Sequence, residues 1–281
     1  MKLATATYNG ASFIIGKVGE EVRRLNGVTS MIELIERGRP FAEGAFGIGT
    51  PIAETALTFQ APIPQPGKII AVGQNYMDHI REQNGTPPTK PLLFTKMPSS
   101  VIPTGALIQW DTEVATFVDY EVELAVVIGK TCRLVAPESV TNYVYGYLVV
   151  NDVTARDLQK GDGQWTRAKG MDTFCPMGAW LTTADEIPDP QALALRTTVN
   201  GETRQNSRTN EMIFDVKTLI SYISQAFTLQ AGDVILTGTP DGVGAYRKPP
   251  IALKDGDTVV CEVEGVGRVE NLCRTLKFRL T

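Results

Sequence analysis

Three carboxylates, Asp119, Glu121 and Glu123, stand at alternate positions at the head of one of the most apolar segments of the chain, VDYEVELAVVIGK, residues 118–130. A strand shows every second side chain to one face, so these acids point one way and Val118, Tyr120, Val122 and Leu124 the other. After Glu123 the run Leu124-Ala125-Val126-Val127-Ile128 is apolar on both parities, the pattern of a strand covered on both sides. Like charges taken out of water within a few ångströms need a cation, strong donors or protons to compensate them. A divalent metal ion would meet that need; a solvated sheet edge would remove it. Spacing alone leaves both readings open.

The sequence holds a single histidine, His79, in NYMDHIREQ. One histidine cannot build a multi-histidine zinc site, so a metal here takes oxygen ligands, which favours magnesium, manganese or calcium. Glu82 follows three residues later, on the same face if the segment is helical. Its carboxylate either orients the imidazole and raises its basicity or forms an ordinary surface ion pair. Asp152 ends the apolar run YGYLVVND, where it could serve as a metal ligand or cap the helix that VTARDLQ suggests. Lys169, in RAKGMDTFCPMG, reads as an exposed loop lysine.

Other chemistries fail on spacing. No G-x-S-x-G occurs, and GKT at residues 129–131 has Leu124 where a phosphate-cradling loop needs glycine. GTPDGVG, residues 238–244, follows a strand without opening a helix, which suits an active-site turn better than a dinucleotide site. A net charge of −4 gives no reason to expect nucleic acid or an anionic membrane as partner, and no apolar run approaches the ~20 residues that span a bilayer. The N-terminus MKLATATYNG lacks the apolar core of a secretion signal, and four scattered cysteines without C-x-x-C spacing suit free thiols. Together these imply a cytoplasmic protein.

The elements that must hold these residues come in two groups. Residues 1–65 read as a small β-rich unit with a hairpin at Asn9-Gly10 and a short helix capped by Ser30 and Glu33 and stopped at Gly38. Proline at alternate positions in residues 62–68 marks a stiff boundary. Residues 66–281 hold strands at KIIAVG, LLFTK, YEVELAVVIG, YGYLVVND, MGAWLTT, LALRTTVNG, DVILTG and DTVVCEVEG, with a hairpin at Asn200-Gly201 and helices at YMDHIREQ and DVKTLISYISQAF. Many strands, few helices and no regular βαβ alternation predict a β-rich α+β fold.

Six blocks, KIIAVGQNYMDHIREQ, PLLFTKMPSS, VDYEVELAVVIGK, VVNDVTARDLQ, KGMDTFCPMG and GDVILTGTPDGVG, stand in the order and rough spacing of the fumarylacetoacetate hydrolase family, which the chain resembles from residue 66 onward. REQN, DGQW, RTNEMIF and YRKPPIALKDGD are most similar to the fumarylacetoacetate hydrolase domain-containing proteins of the second type. The resemblance implies a mixed β-sandwich roll and a Mg2+ or Mn2+ ion held by Glu121, Glu123 and Asp152; Asp119 is not a general ligand in the family. It also implies His79, Glu82 and Lys169 as catalytic residues, and Lys96, Arg156, Gln159 and Thr239 as contacts to a 2-oxo or 2,4-dioxo acid. The chemistry it implies passes through an enolate held at that metal, in a homodimer. Hydrolysis of an acylpyruvate-like C–C bond is the leading expectation. Tautomerisation or decarboxylation of oxaloacetate is the alternative, and a non-enzymatic metal-binding module the last. The polar stretch EQNGTPPTK, residues 82–90, is expected to be a lid.

Overall fold

The computed structural model describes residues 1–38 and 48–277. Asn9 and Gly10, both at positive φ (49° and 78°), turn β1 (Lys2–Tyr8) into β2 (Ala11–Val18). Such a turn matches the twist of the strands it joins. After β3 (Glu21–Leu25), helix α1 (Met31–Glu36) begins where Ser30 Oγ accepts from Glu33 N–H and is followed by Gly38 at φ 79°. The Glu33 carboxylate, however, accepts from Thr29 N–H at 2.7 Å, one residue before the cap. Strands β4 (Ile48–Ile52) and β5 (Thr58–Phe59) complete this part.

The chain continues through β6 (Ile69–Gly73), α2 (Met77–Glu82), β7 (Leu92–Lys96), β8 (Val101–Pro103), β9 (Leu107–Asp111), β10 (Val118–Asp119), β11 (Val122–Ile128) and β12 (Val144–Asn151). There follow β13 (Thr154–Ala155), α3 (Arg156–Asp162), α4 (Thr166–Lys169), β14 (Cys175–Met177), β15 (Leu181–Thr183), β16 (Ala194–Val199) and β17 (Glu202–Arg208). Helix α5 (Val216–Ala226), β18 (Val234–Leu236), β19 (Thr258–Val263) and β20 (Gly267–Leu276) come last. The run MGAWLTT is thus two short strands rather than one; β8, β9, β13 and β20 lie where no strand was expected, and β17 is the return strand of the hairpin expected at Asn200-Gly201.

A 13-stranded mixed sheet is ordered β4-β3-β2-β1-β15-β12-β11-β18-β6-β7, with β5, β8 and β14 attached off this path. A five-stranded sheet, β17-β16-β19-β20-β9, packs on it, and β10 pairs with β13. The two parities of β11 feed different cores. Leu124, Val126 and Ile128 pack with Val259 of β19 and Ile220 and Ile223 of α5, whereas Ala125 and Val127 join Leu34 and Ile35 of α1. The architecture is the β-rich α+β fold that the alternation of strands implies. Because β1 pairs with β15 (Leu3 opposite Leu181), the N-terminal strands extend the large sheet, and residues 62–68 run beside it with Ile63 fully buried. Among the described residues no helix is long and apolar enough to cross a membrane.

Candidate active site

The ladder between β11 and β12 brings the acids together. Val122 stands opposite Asn151 and Glu123 opposite Val150. One step beyond the ladder the same register sets Glu121 against Asp152, whose N–H donates to Glu121 O at 2.9 Å. Ligand atoms of Glu121, Glu123 and Asp152 all lie within 4.8 Å of one another, and all three residues are buried. Asp119 does not join them. The strand is interrupted at Tyr120 and Glu121, and the Asp119 carboxylate turns to accept from the N–H groups of Tyr120, Gly244 and Ala245 and to pair with Arg156 at 2.9 Å. The shared face expected of three acids therefore holds for two.

Directly opposed like charges destabilise a strand pair, and here a lysine separates them. Lys169, at the end of α4, is 2% exposed, with Nζ 2.6 Å from Glu121 Oε2 and 2.7 Å from Asp152 Oδ2. The exposed loop lysine expected from its local context is thus a buried one on a short helix. Lys96 Nζ approaches Asp152 Oδ1 to 2.5 Å and also donates to the carbonyls of Val153 and Lys169. It lies behind the acids rather than on the cavity wall. Arg156 opens α3 and reaches Glu121 Oε1 at 2.7 Å and Gln159 Oε1 at 3.1 Å. Asp152 caps no helix, since Ala155 occupies the position before α3 and Asp152 faces the two lysines.

These surroundings divide the acids. Burial would raise the Glu121 carboxyl, but Lys169 and Arg156 outweigh it and hold the group below its ordinary range. Glu123 is pushed well above its own by burial first and then by Asp152 and Glu121, with only partial relief from Lys169 and the Gly238 N–H that donates to it at 2.7 Å. Lys169 is raised despite burial by Asp152 and Glu121. A buried all-oxygen donor set that still carries an uncompensated acid fits a hard divalent cation such as magnesium or manganese.

Strands β18 and β6 run parallel, and their C-terminal ends bring the remaining parts to the same edge. After β18, Thr237 continues the contact to Leu124 O, Gly238 adopts φ 101°, and Thr239 Oγ1 donates to Val122 O at 2.9 Å. A side chain at Gly238 would also press on Asn75, so glycine is required at this turn. After β6 the chain enters α2, which carries His79 and Glu82. Glu82 Oε2 lies 3.0 Å from His79 Nδ1, and Oε1 accepts from Gly242 N–H at 2.9 Å. A carboxylate can only accept, so Nδ1 carries the proton and Nε2 is free to act as a base. The Tyr246 ring packs edge-on against the imidazole, 5.6 Å between centroids. With His79 buried, Glu82 partly buried and the pair held from three sides, the dyad is unlike a surface ion pair.

A cavity of about 550 Å³ lies over these groups; His79, Glu121, Glu123, Lys169, Gln159 and Thr239 are on its wall, and so is Arg156. Sequence reasoning missed Phe94, Trp165, Tyr246 and Lys160, which also line it. Only Lys160 left a trace, one helical turn after Arg156. It missed Gln205 as well, fully buried behind the wall, where it accepts from Val122 N–H and donates to Thr239 Oγ1. A glutamine in the polar run of β17 gives no sign of that task.

Comparison with known proteins agrees with this geometry. A family model described as fumarylacetoacetate (FAA) hydrolase, C-terminal, matches residues 68–274. The chain belongs to the fumarylacetoacetate hydrolase family. A mitochondrial oxaloacetate tautomerase of Rattus norvegicus is 45% identical over 247 residues, 86% of this chain and 79% of that protein. Among solved structures, a fumarylacetoacetate hydrolase from Exiguobacterium antarcticum superposes with a TM-score of 0.89 at 37% identity, covering 98% of this chain and 100% of that one. A 5-carboxymethyl-2-hydroxymuconate delta-isomerase from Mycobacterium smegmatis gives 0.82 at 37% identity, with the same coverage. The family is one of enzymes, and of these three relatives two are named for tautomerisation or isomerisation and one for the hydrolysis expected first.

Proposed function

We propose that this chain is a divalent-metal-dependent keto–enol tautomerase of a short 2-oxo acid, with oxaloacetate as substrate. The observation that carries the reading is the 45% identity to an oxaloacetate tautomerase over 86% of the chain. A single histidine held in one tautomer on the cavity wall supports it. A magnesium or manganese ion held by Glu121, Glu123 and Asp152 would supply Lewis acidity, lowering the cost of negative charge on the keto oxygen. His79 Nε2 takes the proton from carbon 3, and Glu82 stabilises the imidazolium so formed. The C–H electron pair becomes the carbon–carbon double bond, the carbonyl pair moves to oxygen, and His79 returns the proton there. Lys169 places positive charge beside the acids and offsets the charge that develops. Gln159 Nε2 and the wall at Thr239 orient the substrate, while Lys96 fixes Asp152 from behind and Arg156, itself on the cavity wall, holds Glu121.

Hydrolysis of an acylpyruvate is the second reading, favoured by the likeness to the Exiguobacterium hydrolase. There the same base would deprotonate water. The test follows the enol absorbance of oxaloacetate with magnesium or with a chelator, alongside an acylpyruvate panel analysed by mass spectrometry. Metal-dependent loss of enol without bond cleavage is expected; pyruvate plus a free acid from an acylpyruvate, with no effect on oxaloacetate, would overturn the reading. We also infer a homodimer and a reducing compartment, the cytoplasm. The four free, buried cysteines support such a compartment.

A further inference from the structure

We propose that Lys160 binds the distal carboxylate of the substrate and so selects dicarboxylic over monocarboxylic 2-oxo acids; the inference rests on the tautomerase reading above. Three lysine or arginine side chains line the cavity: Arg156, Lys160 and Lys169. Arg156 is committed to Asp119 and Glu121, and Lys169 to Glu121 and Asp152. Lys160 alone of the three has no carboxylate within ion-pair distance among the described residues.

The acids nearest to it in sequence are turned elsewhere, although Asp157 Oδ1 is buried without a hydrogen-bond partner. Asp157 accepts from both the N–H and the hydroxyl of Thr116 at 2.7 Å, and Asp162 pairs with Arg167 at 2.5 Å. Lys160 lies four residues after Arg156 on α3, so it shares that helix face, roughly 5–6 Å further along. The Arg156 end touches the acid cluster, and the Lys160 end is exposed and lies on the same cavity wall. A short dicarboxylate whose 2-oxo acid end meets the acid cluster therefore has its second charge directed toward the Lys160 ammonium. Phe94 and Trp165, edge-on at 5.3 Å, form apolar wall beside this path and reduce competition from water. A monocarboxylate of the same length would leave that ammonium unused.

The test compares two inert ligands that differ only at the far end, malate and 2-hydroxybutanoate, titrated calorimetrically into the magnesium-loaded protein. Wild type should bind malate more tightly by roughly 10- to 100-fold, the range for a hydrogen bond to a charged group. Lys160→Met should collapse that gap by weakening malate alone, and Lys160→Arg should keep it. Lys160 is exposed, so neither variant threatens the fold. A gap that persists in Lys160→Met, the absence of a gap in wild type, or equal weakening of both ligands overturns the proposal. If the gap depends on Lys160 but oxaloacetate is not tautomerised, the functional reading fails and the carboxylate site stands. Tautomerisation with a gap indifferent to Lys160 means the reverse.

Discussion

Glu123→Gln should stabilise the metal-depleted protein at neutral pH while weakening its hold on a divalent ion. Glu123 is 1% exposed, and its carboxylate lies within 4.8 Å of ligand atoms of two other acids. Two like charges at that separation repel by about 3.5 kcal/mol at an effective dielectric of ~20. Protonation caps the penalty, because at pH 7 a glutamate with a reference pKa of ~4.3 takes up a proton at a cost of about 3.7 kcal/mol. Lys169 offsets part of the repulsion, which leaves a gain of about 1–3 kcal/mol for glutamine, whose amide oxygen still accepts from Gly238 N–H. Burial, Asp152 and Glu121 raise the folded carboxyl above its unfolded value, so the folded state binds the extra proton. The stability linked to that proton is complete below the unfolded pKa and is lost as pH rises toward the folded one. The advantage of glutamine should therefore be near zero at pH 4 and below, below the unfolded pKa of ~4.3, and greatest at pH 7–8. Urea unfolding with a chelator at both pH values measures it. Repeating the experiment with magnesium at 100 times its Kd should add about 2.7 kcal/mol to wild type and much less to the variant, removing most or all of the variant's advantage. A variant less stable than wild type in chelator at pH 7.5, or a gain equal at both pH values, would refute the argument.

Lys169→Met leaves Glu121 and Asp152 opposed and buried, so the metal-free protein should lose ~3–5 kcal/mol in urea unfolding, partly restored by magnesium. His79→Ala should lower kcat for oxaloacetate by roughly 10²- to 10⁴-fold, with magnesium affinity by calorimetry unchanged, since the proposed metal site is the Glu121, Glu123 and Asp152 group; a parallel loss of metal binding would reassign the residue. Burial pushes the thiols of Cys175, Cys261 and Cys273 up to about 12 and also raises Cys132. Native protein at pH 8 should accordingly show no fast-reacting thiol toward Ellman's reagent, and four once unfolded. Residues 83–90 form an exposed connection whose first member, Gln83, lies on the cavity wall. Oxalate should slow hydrogen exchange across them if they close over the site, and equal exchange with and without it would count against a lid.

What the sequence discloses about this site follows from the range of each signal. Period two is local, so the partition of β11 into two buried faces could be read directly, as could the turns at Asn9-Gly10 and Asn200-Gly201, where positive φ is a property of the residues themselves. Strand β20 escaped because only alternate positions along part of it are covered, while β17, with Gln205 its one buried residue, was implied only by the turn that precedes it. The meeting of Glu121 with Asp152 depends on the register of β11 against β12, a relation across thirty-one residues that no local pattern carries; family resemblance supplied it instead. The same is true of Lys169, whose short helix gives no hint that its ammonium will lie between two carboxylates.

That register explains why the lysine and the acids form one unit. Pairing β11 with β12 buries Leu124, Val126, Leu148 and Val150 and in doing so places two acids face to face at the end of the ladder, with a third beside them. The hydrophobic gain of the ladder sustains an electrostatic conflict at its edge, which Lys169 relieves for Glu121 and Asp152 but only partly for Glu123. A site assembled in this way is poised to take up a cation because folding leaves it one positive charge short.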